Sequence, residues 1–266
     1  MTAPAGTALT FLGTAAAVPA AGEETASFIV NGELLVDCGW NCAQRLLQHG
    51  HDPLAVRTLY FTHCHHDHYL GLPGLLFYRG MTGRGAARPP PLEIVGPPDD
   101  LPVVVELARQ FLQVDRFPVV WPEVTLRPLE PGETYESDRY RIDTIRALHP
   151  VTGVSSRLID KRTGAVIAFS GDTAPNAALI DLARGADLLI HEASLAADVP
   201  DGSLRGDHSR AADAARAARD ADVKALRLIH VPARYRTASL AAAQAIFSAA
   251  AMATEGTETV SRVLHA

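Results

Sequence analysis

The sequence predicts a single α/β domain over residues 1–266, and two observations lead to this prediction. Segments rich in β-branched and aliphatic residues alternate with helical segments along the whole chain, and no linker separates one half from the other. Hydrophobic residues make up 47% of the sequence and charged residues 20%, which is enough apolar material for a substantial core. Such alternation is typical of sheet layers covered by helices.

The first half of the chain contains short strands that end in polar or glycine-rich loops. The pair Asn31-Gly32 lies inside one strand segment and is typical of a tight hairpin turn. Gly50 closes the helix that follows, and the glycine, arginine and proline content of 79–91 predicts a loop. Strands are expected at 8–14, 27–39 and 56–62, a strand and turn at 92–98, and helices at 41–50 and 68–80.

The second half continues the alternation with more helix. Ser209 precedes a long alanine-rich run, and a serine in that place is expected to cap the helix. Helices are expected at 106–114, 178–186, 210–223 and 239–251, and strands at 139–148, 154–160, 165–170, 187–194 and 225–231.

Charge and cysteine content narrow the partners and the compartment. A net charge of −6 and a pI near 6.0 argue against a nucleic-acid partner, because such partners usually need a basic face. The chain has no apolar stretch of membrane-spanning length and no secretory start, so we expect no membrane partner and a cytoplasmic location. Three cysteines, Cys38, Cys42 and Cys64, do not form a disulfide framework, which fits a reducing compartment.

The strongest chemical signal is a cluster of histidines and an aspartate after the strand at 56–62. His63, His65, Asp67 and His68 fall within six residues. In an extended chain, positions i and i+2 project to the same face, so the first two imidazoles converge while the following turn presents the other two side chains. Neutral imidazole and carboxylate suit zinc or a similar divalent ion, so the cluster predicts a catalytic metal site.

Further ligands are expected at the ends of other strands. His149, Asp172 and His230 each follow or end a predicted strand. Taken singly, they have ordinary explanations as a loop histidine, a turn residue and a half-buried sheet histidine. Their shared position favours a common site, because α/β folds place active sites at the carboxyl ends of strands.

A series of segments then resembles one known family in order along almost the whole chain. The segments are FLGTAAAVP, LLVDCGWNCAQRLL, THCHHDHYLGLPGLL, GPP, FSGDTAP, LLIHEAS, HSR and LIHVPARY. Together they resemble the ribonuclease Z branch of the metallo-β-lactamase superfamily. HxHxDH is the superfamily signature, whereas DCG, GLPGLL, SGDT and HEA point to the branch. The resemblance implies an αββα four-layer sandwich and a metal-dependent hydrolase.

The resemblance also implies how the ligands are shared between two divalent ions. It assigns His63, His65 and His149 to one ion, and Asp67, His68 and His230 to the other, with Asp172 as the bridge. A hydroxide shared by the ions would be the nucleophile. Zinc is the first expectation, with manganese and iron open, since imidazole and carboxylate serve all three.

The resemblance nominates His208, oriented by Glu192, as the proton donor to the leaving group, with Asp67 assisting as ligand and base. A carboxylate beside an imidazole fixes its tautomer and raises its basicity. The ordinary alternatives are a solvated loop carboxylate at Glu192 and a helix N-terminal residue at His208. Where the family has HST, this chain has His208-Ser209-Arg210, so the surroundings of the imidazole differ.

Several functions remain open on the sequence alone. The first expectation is a phosphodiesterase acting on a small substrate, and the alternative is hydrolysis of a carboxylic ester, lactone or thioester. A pseudoenzyme is disfavoured because all the ligand positions are filled. Relatives in this branch are often homodimers, and nothing in the sequence contradicts a homodimer here. Substrate-binding residues are unknown, although Arg79, Arg84 and Arg88 in the loop at 79–91 could grip a phosphate, with that loop as a lid.

A true tRNA 3′-processing endonuclease is the last alternative, and one interval argues against it. The resembling enzymes hold tRNA with a long arm inserted between the third ligand and the GDT segment. Here 22 residues separate His149 from Asp172, enough for two strands and a turn only. We therefore expect poor processing of precursor tRNA, since phosphate contacts dominate the affinity for such a polyanion.

Overall fold

The computed structural model describes residues 6–82, 89–200 and 206–262. These residues form two seven-stranded sheets. The first has the order β14-β1-β2-β3-β4-β5-β6, antiparallel from β14 to β3 and parallel from β3 to β6. Its strands are β1 (Thr7–Gly13), β2 (Ser27–Val30), β3 (Leu34–Val36), β4 (Thr58–Tyr60), β5 (Leu92–Gly96), β6 (Val124–Pro128) and β14 (Gly256–Val260).

The second sheet has the order β13-β12-β11-β10-β9-β8-β7. Pairing is antiparallel from β7 to β10 and parallel from β10 to β13. Its strands are β7 (Thr134–Glu136), β8 (Tyr140–Arg146), β9 (Val154–Asp160), β10 (Val166–Phe169), β11 (Leu188–Glu192), β12 (Leu226–Ile229) and β13 (Ala250–Met252).

Helices cover the outer face of each sheet, which gives the four-layer αββα sandwich that the resemblance implied. Leucines from the first group pack on Ile29, Leu35 and Leu59, whereas the second group packs alanines on Leu189 and Leu228. The first group is α1 (Cys42–Gln48), α2 (His66–Tyr69), α3 (Leu72–Thr82) and α4 (Leu101–Phe111); the second is α5 (Ala177–Ala183), α6 (Ala211–Asp220) and α7 (Arg236–Gln244).

The inner faces of the two sheets meet in an aromatic core. Phe169 of the second sheet lies edge-on to Phe28 and Tyr60 of the first, with ring centroids 5.5 and 5.9 Å away. The Tyr60 hydroxyl reaches the Ser156 hydroxyl of the opposite sheet at 2.9 Å, so this buried polar atom is satisfied. These contacts fix the separation of the two sheets directly below the edge where the ligand candidates lie.

Some elements differ from the sequence prediction. The alanine-rich helix expected to run to 251 ends at Gln244. Ala250 instead lies in the edge strand β13, where it pairs with Leu226 of β12, and this pairing overrides helix propensity. Helix α6 starts at Ala211 after an N-cap at Arg210, whose N–H donates to the Asp213 carboxylate. Ser209 is therefore not the cap.

The segment 79–91 also departs from the expectation of a loop that begins at Arg79. Helix α3 continues to Thr82, and Arg79 is 1% exposed. Its guanidinium donates to the carbonyls of Pro53, Val56 and Pro90, so it anchors the helix and is not available to grip a substrate. Arg84, Arg88 and the rest of the proposed lid from 83 to 88 lie outside the described residues.

Two local predictions are confirmed. Asn31 and Gly32 form the turn between β2 and β3, with φ angles of 51° and 73°, in the left-handed region that this turn requires. The interval from His149 to Asp172 consists of β9, a turn and β10, paired as an antiparallel hairpin. Within the described ranges, none of the helices combines the length and the apolar character needed to cross a bilayer.

Candidate metal centre

The candidate site lies along one edge of the sandwich, where strands from both sheets end. His63 follows β4 of the first sheet, and His230 follows β12 of the second. Asp172 lies three residues after β10, and Glu192 is the last residue of β11. Because β10, β11 and β12 run parallel, their carboxyl ends meet at this edge, as the sequence predicted for α/β active sites.

The HxHxDH segment is shaped by close contacts with its neighbours. His63 forms an isolated bridge with Gly153, where a Cβ would lie 3.1 Å from the Cβ of His63, so glycine permits the approach. The chain then turns into α2, which presents Asp67 and His68 together. The Thr25 hydroxyl donates to the Asp67 carbonyl at 2.9 Å and fixes this turn.

Backbone strain aims a side chain on the opposite sheet. His230 has a φ of 57°, a left-handed conformation that is uncommon for a residue with a Cβ. Its N–H donates to the Thr14 carbonyl at 3.0 Å, so a contact with the first sheet's side of the molecule holds the strained residue. Such strain persists at sites where the surroundings over-determine the conformation.

The donor atoms gather into two triads that match the sets implied by the resemblance. One holds His63, His65 and His149, the other Asp67, His68 and His230, with the atoms of each within 4.8 Å of one another. His65 Nδ1 lies 2.9 Å from His149 Nε2. In the second triad, Asp67 Oδ2 lies 3.0 Å from His230 Nε2.

Asp172 lies between the triads, as a bridging residue must. Its Oδ2 atom is 3.8 Å from His63 Nε2 of the first triad, and 3.7 Å from both His68 Nε2 and His230 Nε2 of the second. The carboxylate is buried. The structure therefore brings all of the proposed ligands to one place.

Electrostatics at this edge favour ionised carboxylates and call for a positive charge. Burial raises the pKa of Asp67 and Asp172, but imidazole hydrogen bonds at Asp67 and the charges of the imidazoles around Asp172 outweigh it and hold both pKa values well below the usual range. Burial lowers the pKa of His63 and keeps this imidazole neutral. Burial also lowers the pKa of His68, but Asp37 and Asp172 outweigh it and raise the value, because they favour a cation between them.

Unpartnered buried atoms show that the residues fit a metal ion. The Nε2 atoms of His63 and His68 are buried and have no hydrogen-bond partner among the described residues. Buried polar atoms are almost always paired, so each such atom needs an explanation. A divalent cation that accepts these lone pairs and neutralises Asp67 and Asp172 would supply it, and mixed imidazole and carboxylate donors are what such an ion takes.

A second polar pair stands beside the triads. His208 Nδ1 lies 3.0 Å from Glu192 Oε1, and the imidazole is 3.9 Å from Asp172 Oδ2. Glu192 is 1% exposed and also accepts hydrogen bonds from the N–H groups of Thr173 and Ser209, so it is not a solvated loop carboxylate. Burial lowers the pKa of His208, but Glu192 outweighs it and raises the pKa to about 9.

Sequence reasoning missed three groups that hold the imidazoles in place. Asp37 accepts from His68 Nδ1 at 2.8 Å, and the DCG segment at the end of a buried strand was a signal that could have revealed it. The carbonyl of Asp207 accepts from His149 Nδ1 at 2.7 Å, a backbone contact that leaves no trace in the sequence. The Ser194 hydroxyl lies 2.7 Å from His230 Nδ1.

The cysteines take no part in the site. Cys38 and Cys42 are fully buried in the cluster under α1 and α3. The groups of side chains that could hold a metal, in the part of the chain that the structure describes, contain no cysteine.

A four-layer αββα sandwich with histidines and aspartates gathered at one edge defines the class of metal-dependent hydrolases with the β-lactamase fold. The family model described as β-lactamase superfamily domain matches residues 33–231. The chain belongs to the metallo-β-lactamase superfamily and, within it, to the ribonuclease Z-like branch.

Individual relatives support this assignment. Ribonuclease Z of Methanothermobacter thermautotrophicus is 31% identical, over 90% of this chain and 92% of the relative. The metallo-β-lactamase fold protein YhfI from Bacillus subtilis superposes with a TM-score of 0.79 at 25% identity, covering 95% of this chain and 99% of YhfI. The short form of human tRNase Z superposes with a TM-score of 0.75 at 23% identity, covering 95% and 99% of the two chains.

The comparisons bear on three of the sequence predictions. The chain is a hydrolase, and its fold family implies a divalent metal, as predicted. The argument against a nucleic-acid partner conflicts with relatives that are named ribonuclease Z over most of this chain's length. Net charge alone therefore does not exclude a nucleic-acid substrate for this chain.

Proposed function

We propose that this protein is a metal-dependent phosphodiesterase in which the two triads and Asp172 hold two divalent ions, zinc before manganese or iron. The observation that carries the proposal is the position of His208, a 25% exposed imidazole held by a buried carboxylate beside the convergence of the triads. When bound, the ions would stabilise the charge that develops on the phosphoryl oxygens and activate water for attack.

The protein's own residues supply the proton transfer. His208 Nδ1 is engaged by Glu192, so Nε2 is the nitrogen that can meet the leaving group. With a pKa raised to about 9, the imidazole carries its proton at neutral pH and can donate it to the departing oxygen. Glu192 stabilises the protonated ring by one hydrogen bond. Four further hydrogen bonds to its carboxylate hold Glu192 itself in place.

The identity of the bond is supported by the relatives. Ribonucleases cleave phosphodiesters, and a relative of that name aligns over 90% of this chain. Hydrolysis of a carboxylic ester, lactone or thioester, the alternative from sequence, has no comparable support. We therefore propose phosphodiester hydrolysis as the reaction class.

Two substrate sizes follow from two different observations. The short turn between β9 and β10 leaves no room for an inserted arm there, which favours a small diester. The names of the relatives favour RNA, so removal of a 3′ trailer from precursor tRNA is the second candidate function. Both use the same proposed site and the same proton donor.

The test compares three substrates on one zinc-loaded preparation: bis(p-nitrophenyl) phosphate, a chromogenic lactone and a precursor tRNA with a 3′ trailer. We expect hydrolysis of the diester, loss of activity on chelation, and slower turnover in His208→Ala. His66→Ala is a matched control, because His66 lies in the same segment but is exposed and outside the triads. Preferential hydrolysis of the lactone would contradict the proposal, and efficient site-selective trailer removal would assign the RNA substrate.

A further inference from the structure

The Ser194 hydroxyl occupies a junction between two parts of the candidate site. Its Oγ atom lies 2.8 Å from Glu192 Oε2 and 2.7 Å from His230 Nδ1. It thus touches the carboxylate that holds His208 and, on the other side, an imidazole of the second triad. Both contacts are short enough to be full hydrogen bonds.

Counting protons assigns a direction to each of these bonds. A serine hydroxyl has one proton to donate, and an ionised carboxylate can only accept. The hydroxyl also lies 3.1 Å from the His230 carbonyl, which like Glu192 Oε2 can only accept. The Ser194 proton therefore points to these acceptors, with Glu192 the nearer at 2.8 Å, and the Ser194 oxygen accepts from His230 Nδ1–H. A neutral imidazole protonated on Nδ1 has its lone pair on Nε2. That atom points into the second triad, 3.0 Å from Asp67 Oδ2. Without an ion this contact is a hydrogen bond from Nε2–H, and a bound ion would take the Nε2 lone pair in place of that proton, which leaves the ring proton on Nδ1.

The same device occurs independently on the other sheet. The Thr62 hydroxyl donates to Asp37 Oδ2 at 2.9 Å and lies 3.1 Å from Nδ1 of His63, a residue of the first triad. There too the hydroxyl donates its proton to a carboxylate, so its oxygen must accept a hydrogen bond from the imidazole ring. His63 and His230 are thus each linked to a carboxylate through a hydroxyl, whereas His68 contacts Asp37 directly.

We propose that Ser194 is a positioning residue that fixes the tautomer of His230 and joins this proposed ligand to the carboxylate of the proton-donating pair. The inference rests on the proposed metal site. Ser194 differs from Thr62 because its carboxylate partner, Glu192, also holds the proposed proton donor. Glu192 Oε1 contacts His208, while Oε2 accepts from the Ser194 hydroxyl. Loss of the Ser194 hydroxyl should therefore weaken the binding of one ion and leave the contact between Glu192 and His208 in place.

The experiment compares Ser194→Ala with Ser194→Thr, which keeps the hydroxyl. Ser155→Ala is the control, because the Ser155 hydroxyl is also buried in the second sheet but donates to the Ser170 carbonyl. Zinc is titrated against a chelator of known affinity, and imidazole N–H protons are followed by ¹⁵N-edited NMR. For Ser194→Ala we expect about 10–100-fold weaker binding of one of two ions, the usual effect of removing such support, and loss of the His230 Nδ1–H signal.

Ser194→Thr should restore both readouts, and Ser155→Ala should change neither. If Ser194→Ala folds poorly, Ser194→Cys provides the same test, since a thiol fills the space but is a weak donor and acceptor. Wild-type affinity for both ions in Ser194→Ala or Ser194→Cys would overturn the positioning role of Ser194 while leaving the proposed function intact. Failure of the unsubstituted protein to bind zinc would overturn the proposed function, and this inference with it.

Discussion

The two ends of the sandwich each contain a buried carboxylate, but the groups that surround these two carboxylates differ. At the end away from the candidate site, Asp160 of β9 is fully buried and accepts from the Thr7 hydroxyl at 2.9 Å, Asn31 Nδ2 at 3.0 Å and Arg139 Nη2 at 3.1 Å. At the site end, Asp172 faces three imidazole nitrogens at 3.7–3.8 Å, beyond hydrogen-bond distance.

The basic partner decides what each end can do. Arg139 is always charged and has only donors, so the far-end network closes on itself and ties the first sheet to the second. An imidazole can present a lone pair, and the Nε2 atoms of His63 and His68 are left without partners among the described residues. A saturated ion pair is structural, whereas carboxylates that meet imidazole lone pairs make a place for a cation.

The largest expected effect is from Asp172→Ala at the site end. Because this carboxylate lies between the triads, its removal should cost both ions and abolish diester hydrolysis. Elemental analysis of the purified variant after zinc loading measures the ions directly. Retention of two ions would show that Asp172 is no bridge and would remove the contrast between the ends.

The next effect is that of His208→Ala, which separates proton transfer from metal binding. Metal content should stay at the wild-type value, since His208 belongs to neither triad. The further group that it forms with His149 and Asp172 shares both of those residues with the proposed ligand sets. Turnover of the diester should fall by about 10²–10⁴-fold, the usual contribution of general acid–base catalysis. Normal turnover in this variant would remove His208 from the mechanism.

A smaller effect is expected at the far end, on stability alone. Asp160→Asn weakens the hydrogen bonds to Thr7, Asn31 and Arg139, and a lost charged hydrogen bond in a buried place costs about 1–3 kcal/mol in the free energy of unfolding. Denaturant unfolding measures this loss, and the zinc content serves as the control that should not move. A loss of zinc without a loss of stability would reverse the roles assigned to the two ends.

The smallest expected effect is the pH dependence of the difference in unfolding free energy between the wild type and Asp160→Asn. Burial raises the pKa of Asp160, but the Arg139 hydrogen bond and its other donors outweigh it and leave the pKa below its ordinary value. A carboxyl with a lowered folded-state pKa stabilises the protein above its unfolded-state pKa and loses that contribution as the pH falls through the folded value. The stability gap between wild type and Asp160→Asn should therefore be full at pH 7 and narrow below about pH 4. A gap that widens on acidification would contradict this assignment.

What the sequence could predict depended on whether a signal lies within one segment. The HxHxDH cluster is contiguous, and Asp172 and His230 could be found because strand ends share an edge. Ser194 and Asp37 act on residues 36 and 31 positions away, and those contacts exist only after the sheets have packed. Such partners carry no spacing that a single sequence could show.

The fold was predictable to the same extent. The buried strand β10 is a continuous apolar run, and β11 begins with three apolar residues; both were identified. The edge strands β6, β7 and β14 were missed, because they contain polar residues with much of their surface exposed, and pairing with one neighbour decides their conformation. The helix expected at 239–251 failed for the same reason at its end.

The long sequence distance between Asp67 and His230, 163 positions, has a consequence for how the protein matures. During synthesis the donors of the HxHxDH segment leave the ribosome well before His149, Asp172 and His230. A partial set on a flexible chain can hold an ion only loosely, because the preformed geometry that gives high affinity does not yet exist. Tight retention of both proposed ions would thus report that β12, the strand before His230, has docked, so metal content would measure a late step of folding.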